Sequence, residues 1–171
     1  MDRLNNWIIC SIKLGKIDPF MVPILQGLGR LDIKLIGYED EFLKLEPSKK
    51  ETEEKIMDST RLTEFFTYSY LWVLGAYELI RTIDQRCRED SNLLGENLNN
   101  KFKELKHKFE RIRIPLAKME PARRHKDTDS RIAYPYIKVN SGNRISWRIS
   151  EKEYIVRKEL SDDFLGVLEE L

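Results

Sequence analysis

Hydrophobic side chains recur at helical spacing along two long stretches in the middle of the chain. The first stretch covers residues 51–88, and its nearly apolar seam alternates steps of four and three: Phe66, Tyr70, Val73, Tyr77, Ile80, Asp84 and Cys87. The second stretch carries a seam with the same spacing: Leu98, Phe102, Leu105, Phe109, Ile112, Leu116 and Met119. This spacing predicts two amphipathic helices. Because the connection between them is short, we expect them to pack antiparallel.

Prolines and glycines predict where these helices break. Pro115 lies inside the second stretch, so we expect a kink or a helix end there. The first 45 residues are expected to be helical, but four residues divide them into short pieces: Pro19, Pro23, Gly27 and Gly29. Ser48 and Glu51 have the spacing of a capping box, which predicts the start of the first long helix.

After residue 121 the pattern changes from helical spacing to alternation. Apolar side chains occupy every second position of one segment: Ile145, Trp147 and Ile149. This period of two predicts a β-hairpin with its turn at residues 141–143, in which Ile137 and Val139 supply the opposing apolar face. Residues 153–158 predict a third short strand. A short terminal helix should follow, with Ser161 as its N-cap and an acidic pair in its first turn.

These elements predict a mainly α fold. Residues 1–131 should form a helical bundle with two long antiparallel helices. Residues 132–171 should add a small antiparallel β-hairpin or three-stranded sheet and a short terminal helix, packed as one domain with the bundle. The aromatic helix between Phe65 and Ile83 is so apolar that it should be either central or part of a homodimer interface.

Composition is that of a globular protein rather than a disordered one. The 171 residues include seven Phe, seven Tyr and three Trp, which can fill a sizeable core although 35% of the chain is charged. Cys10 and Cys87 are the only cysteines, and we expect them to be reduced and buried. The most apolar run, residues 65–77, is too short to span a bilayer. We therefore expect a cytoplasmic protein with no membrane partner.

Charge is balanced over the whole chain but segregated along it. The net charge is only +1, yet residues 101–131 contain eleven Lys and Arg against five Asp and Glu. Residues 39–64 contain nine acids against five bases, and residues 159–171 contain five acids and no base. This segregation indicates either charge complementarity within the protein or dimer, or a basic surface for an anionic partner such as RNA or DNA.

The basic segment is the best candidate for a functional site. Arginine and lysine side chains predicted to bind an anion are Arg111, Arg113, Arg123, Arg124, Lys126, Arg144 and Arg148. The last two lie on the predicted hairpin and join the others only if it folds back. His125 stands among these cations, and histidine exchanges protons near neutral pH.

A second candidate is a polar pocket between the two long helices, formed by Tyr77, Glu78, Arg81 and Asp84. The alternative is structural: Glu78 and Arg81 are placed to form an ion pair, and Arg111 or Arg113 could neutralise Glu78 or Asp84.

Strong cofactor and metal motifs are absent from the sequence, and we expect neither a cofactor nor a metal. There is no phosphate-binding glycine loop, HExxH, paired CxxC or GxSxG. His125, Asp127 and Asp129 alternate and could seat a divalent ion in an extended segment, but a polar loop explains them as well.

Two functions remain. The first is a binding or assembly module that presents its Arg-rich surface to nucleic acid or to a protein partner, either as a monomer or as a homodimer through the aromatic helix. The second is a metal-independent ribonuclease in which His125 is the general acid or base, and Arg113, Arg123 and Arg124 stabilise the transition-state charge. A third function, recognition of a protein by pairing with the edge of the predicted sheet, is also open.

The helical architecture of residues 51–126 resembles that of HEPN-type ribonucleases, many of which serve prokaryotic defence and toxin systems. Their signature is an Arg followed four to six residues later by His. No arginine stands at that distance before His107 or His125. The resemblance therefore concerns architecture alone and implies a ribonuclease only as the second hypothesis.

Overall fold

In a computed structural model, the chain is described over residues 2–44, 52–138 and 144–171. The described part is mainly helical, as predicted, with a three-stranded antiparallel sheet near its C-terminal end. Its elements in chain order are α1 (Arg3–Leu14), α2 (Met21–Lys44), α3 (Thr52–Glu89), α4 (Glu96–Lys118), a 3-10 turn (Arg123–His125), β1 (Tyr134–Lys138), β2 (Arg144–Arg148), β3 (Tyr154–Val156) and α5 (Arg157–Glu169). None of the described helices is long and apolar enough to cross a membrane.

The two long helices form the centre of the bundle, as the seams predict. They run antiparallel: Glu78 on α3 pairs with Arg113 on α4, and six residues further along α3 Asp84 pairs with Lys106. The seam of α3 is buried within the chain itself. Pro115 does not end α4, which continues to Lys118 with the proline ring buried, so the prediction of a helix end there is wrong.

The predicted division of the first 45 residues is right at Pro19, which lies between α1 and α2, and wrong at Pro23, Gly27 and Gly29, which lie inside α2. Pro23 lies in the first turn of α2, where backbone N–H groups have no partner within the helix, so a missing N–H costs little. Gly29 lies inside α2 and lets α1 approach closely, because a Cβ atom there would lie 2.5 Å from the Cβ of Trp7. The predicted capping box at Ser48 and Glu51 lies outside the described residues.

The sheet has the order β1-β2-β3 and packs one face on the bundle. Trp147 of β2 is buried against Phe66 of α3, with ring centroids 6.1 Å apart, and its indole N–H donates to the Ser69 hydroxyl at 3.2 Å. The alternation predicted for β2 is therefore the alternation between core and outer face. The predicted turn at residues 141–143 and the predicted core position of Val139 lie outside the described residues.

The terminal helix begins five residues earlier than predicted. Strand β3 leads directly into α5, whose N-cap is Val156 rather than Ser161. Ser161 instead lies inside the helix, fully buried, and donates its hydroxyl to Asp32 of α2 at 2.7 Å. A buried carboxylate needs hydrogen-bond donors. Ser161 therefore lies inside the helix as a donor to Asp32, and not at the N-cap position that the capping rule predicts.

Asp32 is the centre of a buried polar network that joins α1, α2 and α5. Its carboxylate is fully buried and accepts hydrogen bonds from four donors: Arg3 Nε at 2.7 Å, Trp7 Nε1 at 3.0 Å, the Ser161 hydroxyl and Arg157 Nη1. Burial alone would raise the pKa of Asp32, but Arg157, the Ser161 hydroxyl and Arg3 together hold it below its usual range. We call these five residues the Asp32 network.

Cys10 and Cys87 are free and buried, as predicted. Burial raises the pKa of both thiols, which disfavours the reactive thiolate.

Candidate anion-binding groove

One face of α4 supplies the first wall of a groove. His107, Glu110, Arg111 and Ile114 stand at positions i, i+3, i+4 and i+7, so their side chains project from the same side of the helix. The opposite side of α4 carries Phe102, Phe109 and other seam residues, which are buried in the core. The amphipathic pattern of α4 therefore leaves this polar face available to the segment that follows.

The chain reverses at the end of α4 and returns along that face. Met119 ends the helix in the left-handed conformation with φ 56°, the only positive φ outside glycine in the described residues. The returning segment is then held by Asp129, whose fully buried carboxylate accepts two hydrogen bonds from Arg111, at 2.8 and 2.9 Å. Glu153 also bonds Arg111, and the Ser130 N–H donates to the Ile149 carbonyl at 2.6 Å. The 3-10 turn of residues 123–125 is thereby fixed opposite α4.

Together the helix face and the turn enclose a groove of about 530 Å³. We call it the basic groove, and it is lined by His107, Lys108, Glu110, Arg111, Ile114, Ala122, Arg123, Arg124 and His125. Both histidines of the chain lie in it.

Two of the groove's cations are not neutralised by the protein. Lys108 pairs with Asp163, and Arg111 is bound by Asp129 and Glu153. Arg123 and Arg124, in contrast, are exposed and form no ion pair with any acid in the described ranges. Every other charged side chain of the groove has a partner in the described ranges, so these two arginines are the cations that remain able to bind an external anion.

A hydrogen-bond chain fixes His107 at the floor of the groove. Its Nδ1 lies 2.9 Å from Glu110 Oε2, and the Tyr77 hydroxyl donates to the other carboxylate oxygen at 3.4 Å. A carboxylate can only accept, so Nδ1 carries the proton and Nε2 of the neutral ring is an acceptor. That Nε2 is buried and has no partner among the described residues. Burial, and then the Glu110 charge, raise the pKa of Tyr77, which stays a neutral donor.

A second recess continues the groove toward the sheet. Ile114 and Arg123 line both cavities, and the second has a volume of about 960 Å³. Its charged lining consists of four cations, Lys118, Arg123, Lys126 and Arg131, and two acids, Glu120 and Asp129. Asp129 is already neutralised by Arg111, so this basic recess is also positive on balance.

The structure brings together some of the residues predicted to bind an anion and separates others. Arg111, Arg123, Arg124 and His125 line the basic groove, and Lys126 lines the basic recess.

The other three arginines lie elsewhere. Arg113 lies over the Tyr77 ring, with 5.0 Å between guanidinium carbon and ring centroid, and bonds Glu78. Arg144 bonds Glu39 and Asp40 at 3.0 and 2.9 Å, and Arg148 is exposed on the sheet.

The charged residues of the predicted polar pocket form ion pairs. Arg81 donates to Glu78 at 2.8 Å, and both side chains are nearly half exposed. Asp84 is buried and pairs with Lys106 at 2.6 Å and with Arg88 at 3.3 Å. Tyr77 turns toward Glu110. This arrangement is the structural pairing that the sequence offered as the alternative.

The alternating segment of His125, Asp127 and Asp129 does not converge on one point. Asp129 is enclosed by Arg111, while Asp127 is exposed. Across the described residues, no group of three or more His, Cys, Asp and Glu side chains could hold a metal ion.

Sequence reasoning missed three lining residues: His107, Lys108 and Glu110. The signal was present, because His107 precedes Arg111 by four residues and shares its helix face. What the sequence did not contain was the position of the returning segment, which depends on the Arg111–Asp129 pair and on the left-handed turn at Met119.

Comparisons of the chain with protein families, with curated proteins and with solved structures yield no match in any of the three.

Proposed function

We propose that the chain binds nucleic acid through the phosphates of its backbone, which lie in the basic groove and the basic recess. The observation that carries this proposal is the pair Arg123 and Arg124, exposed at the groove with no acid to neutralise them in the described ranges. Guanidinium groups bind phosphate oxygens in a forked geometry, and two in succession suit a repeating anion.

The continuity of the positive surface supports a polymer rather than a single small anion. The groove and the recess share Arg123, and cations line both: Arg123, Arg124, Lys118, Lys126 and Arg131. A net charge of +1 gives little long-range attraction, so affinity should come from these local contacts.

The test is binding of a fluorescent single-stranded RNA of about 16 nucleotides, followed by anisotropy from about 50 to 200 mM salt. Arg123→Ala with Arg124→Ala should weaken binding about tenfold or more and reduce the slope of log K against log salt by about 1.4, since two phosphate contacts are lost. The matched control is Arg30→Ala with Arg61→Ala, which removes the same charge from exposed positions on α2 and α3.

Equal losses in the two double variants would mean that binding is a general charge effect rather than a property of the groove. Absence of any binding by the wild-type chain at the lowest salt would overturn the proposal.

A second function is favoured by one observation, the presence of both histidines in the same groove. The chemistry would be cleavage of RNA without a metal. One imidazole removes the proton of a ribose 2′-hydroxyl, whose oxygen attacks the adjacent phosphorus. The other imidazole protonates the 5′-oxygen as its bond to phosphorus breaks, which leaves a 2′,3′-cyclic phosphate and a free 5′-hydroxyl. Arg123 and Arg124 would stabilise the additional negative charge of the pentacoordinate phosphorane.

Within this function His107 would be the base, since Glu110 fixes its tautomer and leaves Nε2 as acceptor, provided that the RNA gains access to this buried atom. His125 would then be the acid. The test is a denaturing gel of RNA incubated with the protein in EDTA, with a DNA of the same sequence as control. Cleavage of RNA alone that disappears in both His107→Ala and His125→Ala supports the function. RNA that stays intact with the wild-type protein rejects it and leaves the binding proposal untouched.

The same proposal includes a cytoplasmic location and a homodimer through α3. Because the seam of α3 is buried within the chain, such a dimer would use the outer side of the helix, where Leu71 is 50% exposed. A role in a prokaryotic defence or toxin system accompanies the ribonuclease alternative only.

A further inference from the structure

The outer face of the sheet carries a cluster of exposed aromatic rings. Antiparallel register places Tyr134, Arg148 and Tyr154 side by side across the three strands, with Tyr136 one step further along β1. Successive side chains of a strand point to opposite faces, so these four share the face opposite Trp147. Tyr134 and Tyr136 are 49% and 42% exposed, which is high for rings on a folded sheet. We call these four residues the tyrosine face.

A small residue in the central strand shapes this face. Tyr136 and Tyr154 lie on strands that are not neighbours, yet their ring centroids are only 4.7 Å apart, with an angle of 39° between the planes. They meet above Ser146, which is fully buried beneath them. Arg148 lies 5.8 Å from the centroid of Tyr134. The result is a surface of three rings and one guanidinium, in which Tyr134, Tyr136 and Arg148 are exposed and Tyr154 is half-buried.

The tyrosine face adjoins the positive surface already described. Arg131, at the rim of the basic recess, precedes Tyr134 by three residues, a distance of at most about 11 Å along an extended chain. The turn between β2 and β3 is tied to the groove as well, because Glu153 bonds Arg111. A strand whose phosphates follow the recess therefore reaches the rings with its next nucleotides.

We propose that the tyrosine face stacks the unpaired bases of a single-stranded nucleic acid whose backbone lies in the basic groove and recess. This inference rests on the proposed function and specifies its ligand. Aromatic side chains accept any base on their π-face, and a neighbouring arginine adds cation–π attraction and a phosphate contact. A duplex cannot use such a surface, because its bases are already stacked on one another.

The experiment compares two probes on two proteins. The probes are a labelled RNA of about 16 nucleotides and the same backbone with its central bases removed, so that phosphates are kept and stacking is lost. The proteins are the wild type and Tyr134→Ala with Tyr136→Ala. Wild type should bind the complete RNA at least about fivefold more tightly for each ring engaged. The alanine variant, which keeps only the ring of Tyr154, should bind the complete RNA more weakly and lose most of its preference for that RNA over the probe without bases.

Tyr134→Phe with Tyr136→Phe is the matched control, because it keeps the rings and should keep the preference for bases. Circular dichroism of the alanine variant checks that the sheet is retained, and if it is not, Tyr134→Ala alone takes its place, since that ring is not part of the pair above Ser146. Wild-type binding that depends on Arg123 and Arg124 but not on bases or tyrosines would overturn this inference and leave the proposed function standing. If the wild type binds neither probe, both proposals fail.

Discussion

Replacement of Asp32 by asparagine should destabilise the protein more than almost any other single isosteric change. The carboxylate is fully buried and accepts four hydrogen bonds, two of them from arginines. An amide of the same shape loses the charge and turns one acceptor oxygen into a donor. That donor faces either Arg157 and the Ser161 hydroxyl or Arg3 and the Trp7 indole, so one or two of the four bonds become donor–donor contacts, since only the Ser161 hydroxyl can turn to accept.

The size of this destabilisation follows from the buried charge that loses its partner. Arg157 is fully buried, and its other acid, Glu39, is 3.5 Å away. Removal of one partner from a buried ion pair typically costs about 3 to 5 kcal/mol. Since domains of this size are usually stable by about 5 to 15 kcal/mol, Asp32→Asn should lose about a fifth or more of that. Arg157→Met on the Asp32→Asn background should restore part of the loss, because the uncompensated charge is gone.

The assay is urea unfolding followed by circular dichroism at neutral pH, with Glu153→Gln as a control at an exposed acid of the Arg111 pair. Because the folded state lowers the pKa of Asp32, its contribution is complete above the unfolded value of 3.8 and is lost as the pH falls through the folded value. The wild type should therefore lose more stability than Asp32→Asn in that acid range. A loss below about 1 kcal/mol at neutral pH, or parallel acid curves, would refute the reasoning.

Three further predictions concern packing, backbone strain and assembly. Gly29→Ala should lower the free energy of unfolding by about 1 to 3 kcal/mol, because the added methyl group overlaps Trp7. Gly37→Ala, whose methyl group meets nothing within 4 Å, should raise it by about 0.5 to 1 kcal/mol. Urea unfolding measures both variants, and equal effects would contradict the close approach of α1 and α2. Met119→Gly should raise the free energy of unfolding by about 1 kcal/mol, since glycine adopts the left-handed conformation without strain and the replaced side chain is 68% exposed; a measured loss would contradict this. Leu71→Glu should convert a dimer to monomer in light scattering, and a mass unchanged from a dimeric wild type would exclude the outer face of α3 as the interface.

Periodicity predicted the long-range architecture well because the core is built from long seams. From Val73 to Cys87 in α3 and from Leu98 to Ile112 in α4 every seam position is buried, so hydrophobic spacing and burial coincide there. The hairpin strands could be predicted from the sequence for the same reason, since Ile145 and Trp147 alternate with residues of the outer face. The predictions made from Pro23 and Ser161 were wrong, because a rule based on residue type ignores two facts. Pro23 lies in the first turn of its helix, and Ser161 has a buried partner far along the chain.

The basic groove could be predicted only in part, since its two walls, the face of α4 and the segment after it, are held together by tertiary contacts. Arg123, Arg124 and His125 were identifiable from charge density alone. His107 was not, because its role depends on Glu110 and on the returning segment above it. The Asp32 network gave no local signal, since Asp32 and Arg157 are 125 residues apart.

The Asp32 network also determines when the chain can finish folding during synthesis. Trp7 and Asp32 leave the ribosome early, but Arg157 and Ser161 follow Asp32 by 125 and 129 residues. Until they arrive, a buried Asp32 would lack two of its four donors, so the hairpin of α1 and α2 must keep this carboxylate in contact with water. A chain that stops short of α5 can therefore not close its N-terminal core. Products truncated before α5 therefore remain open chains that proteases can recognise.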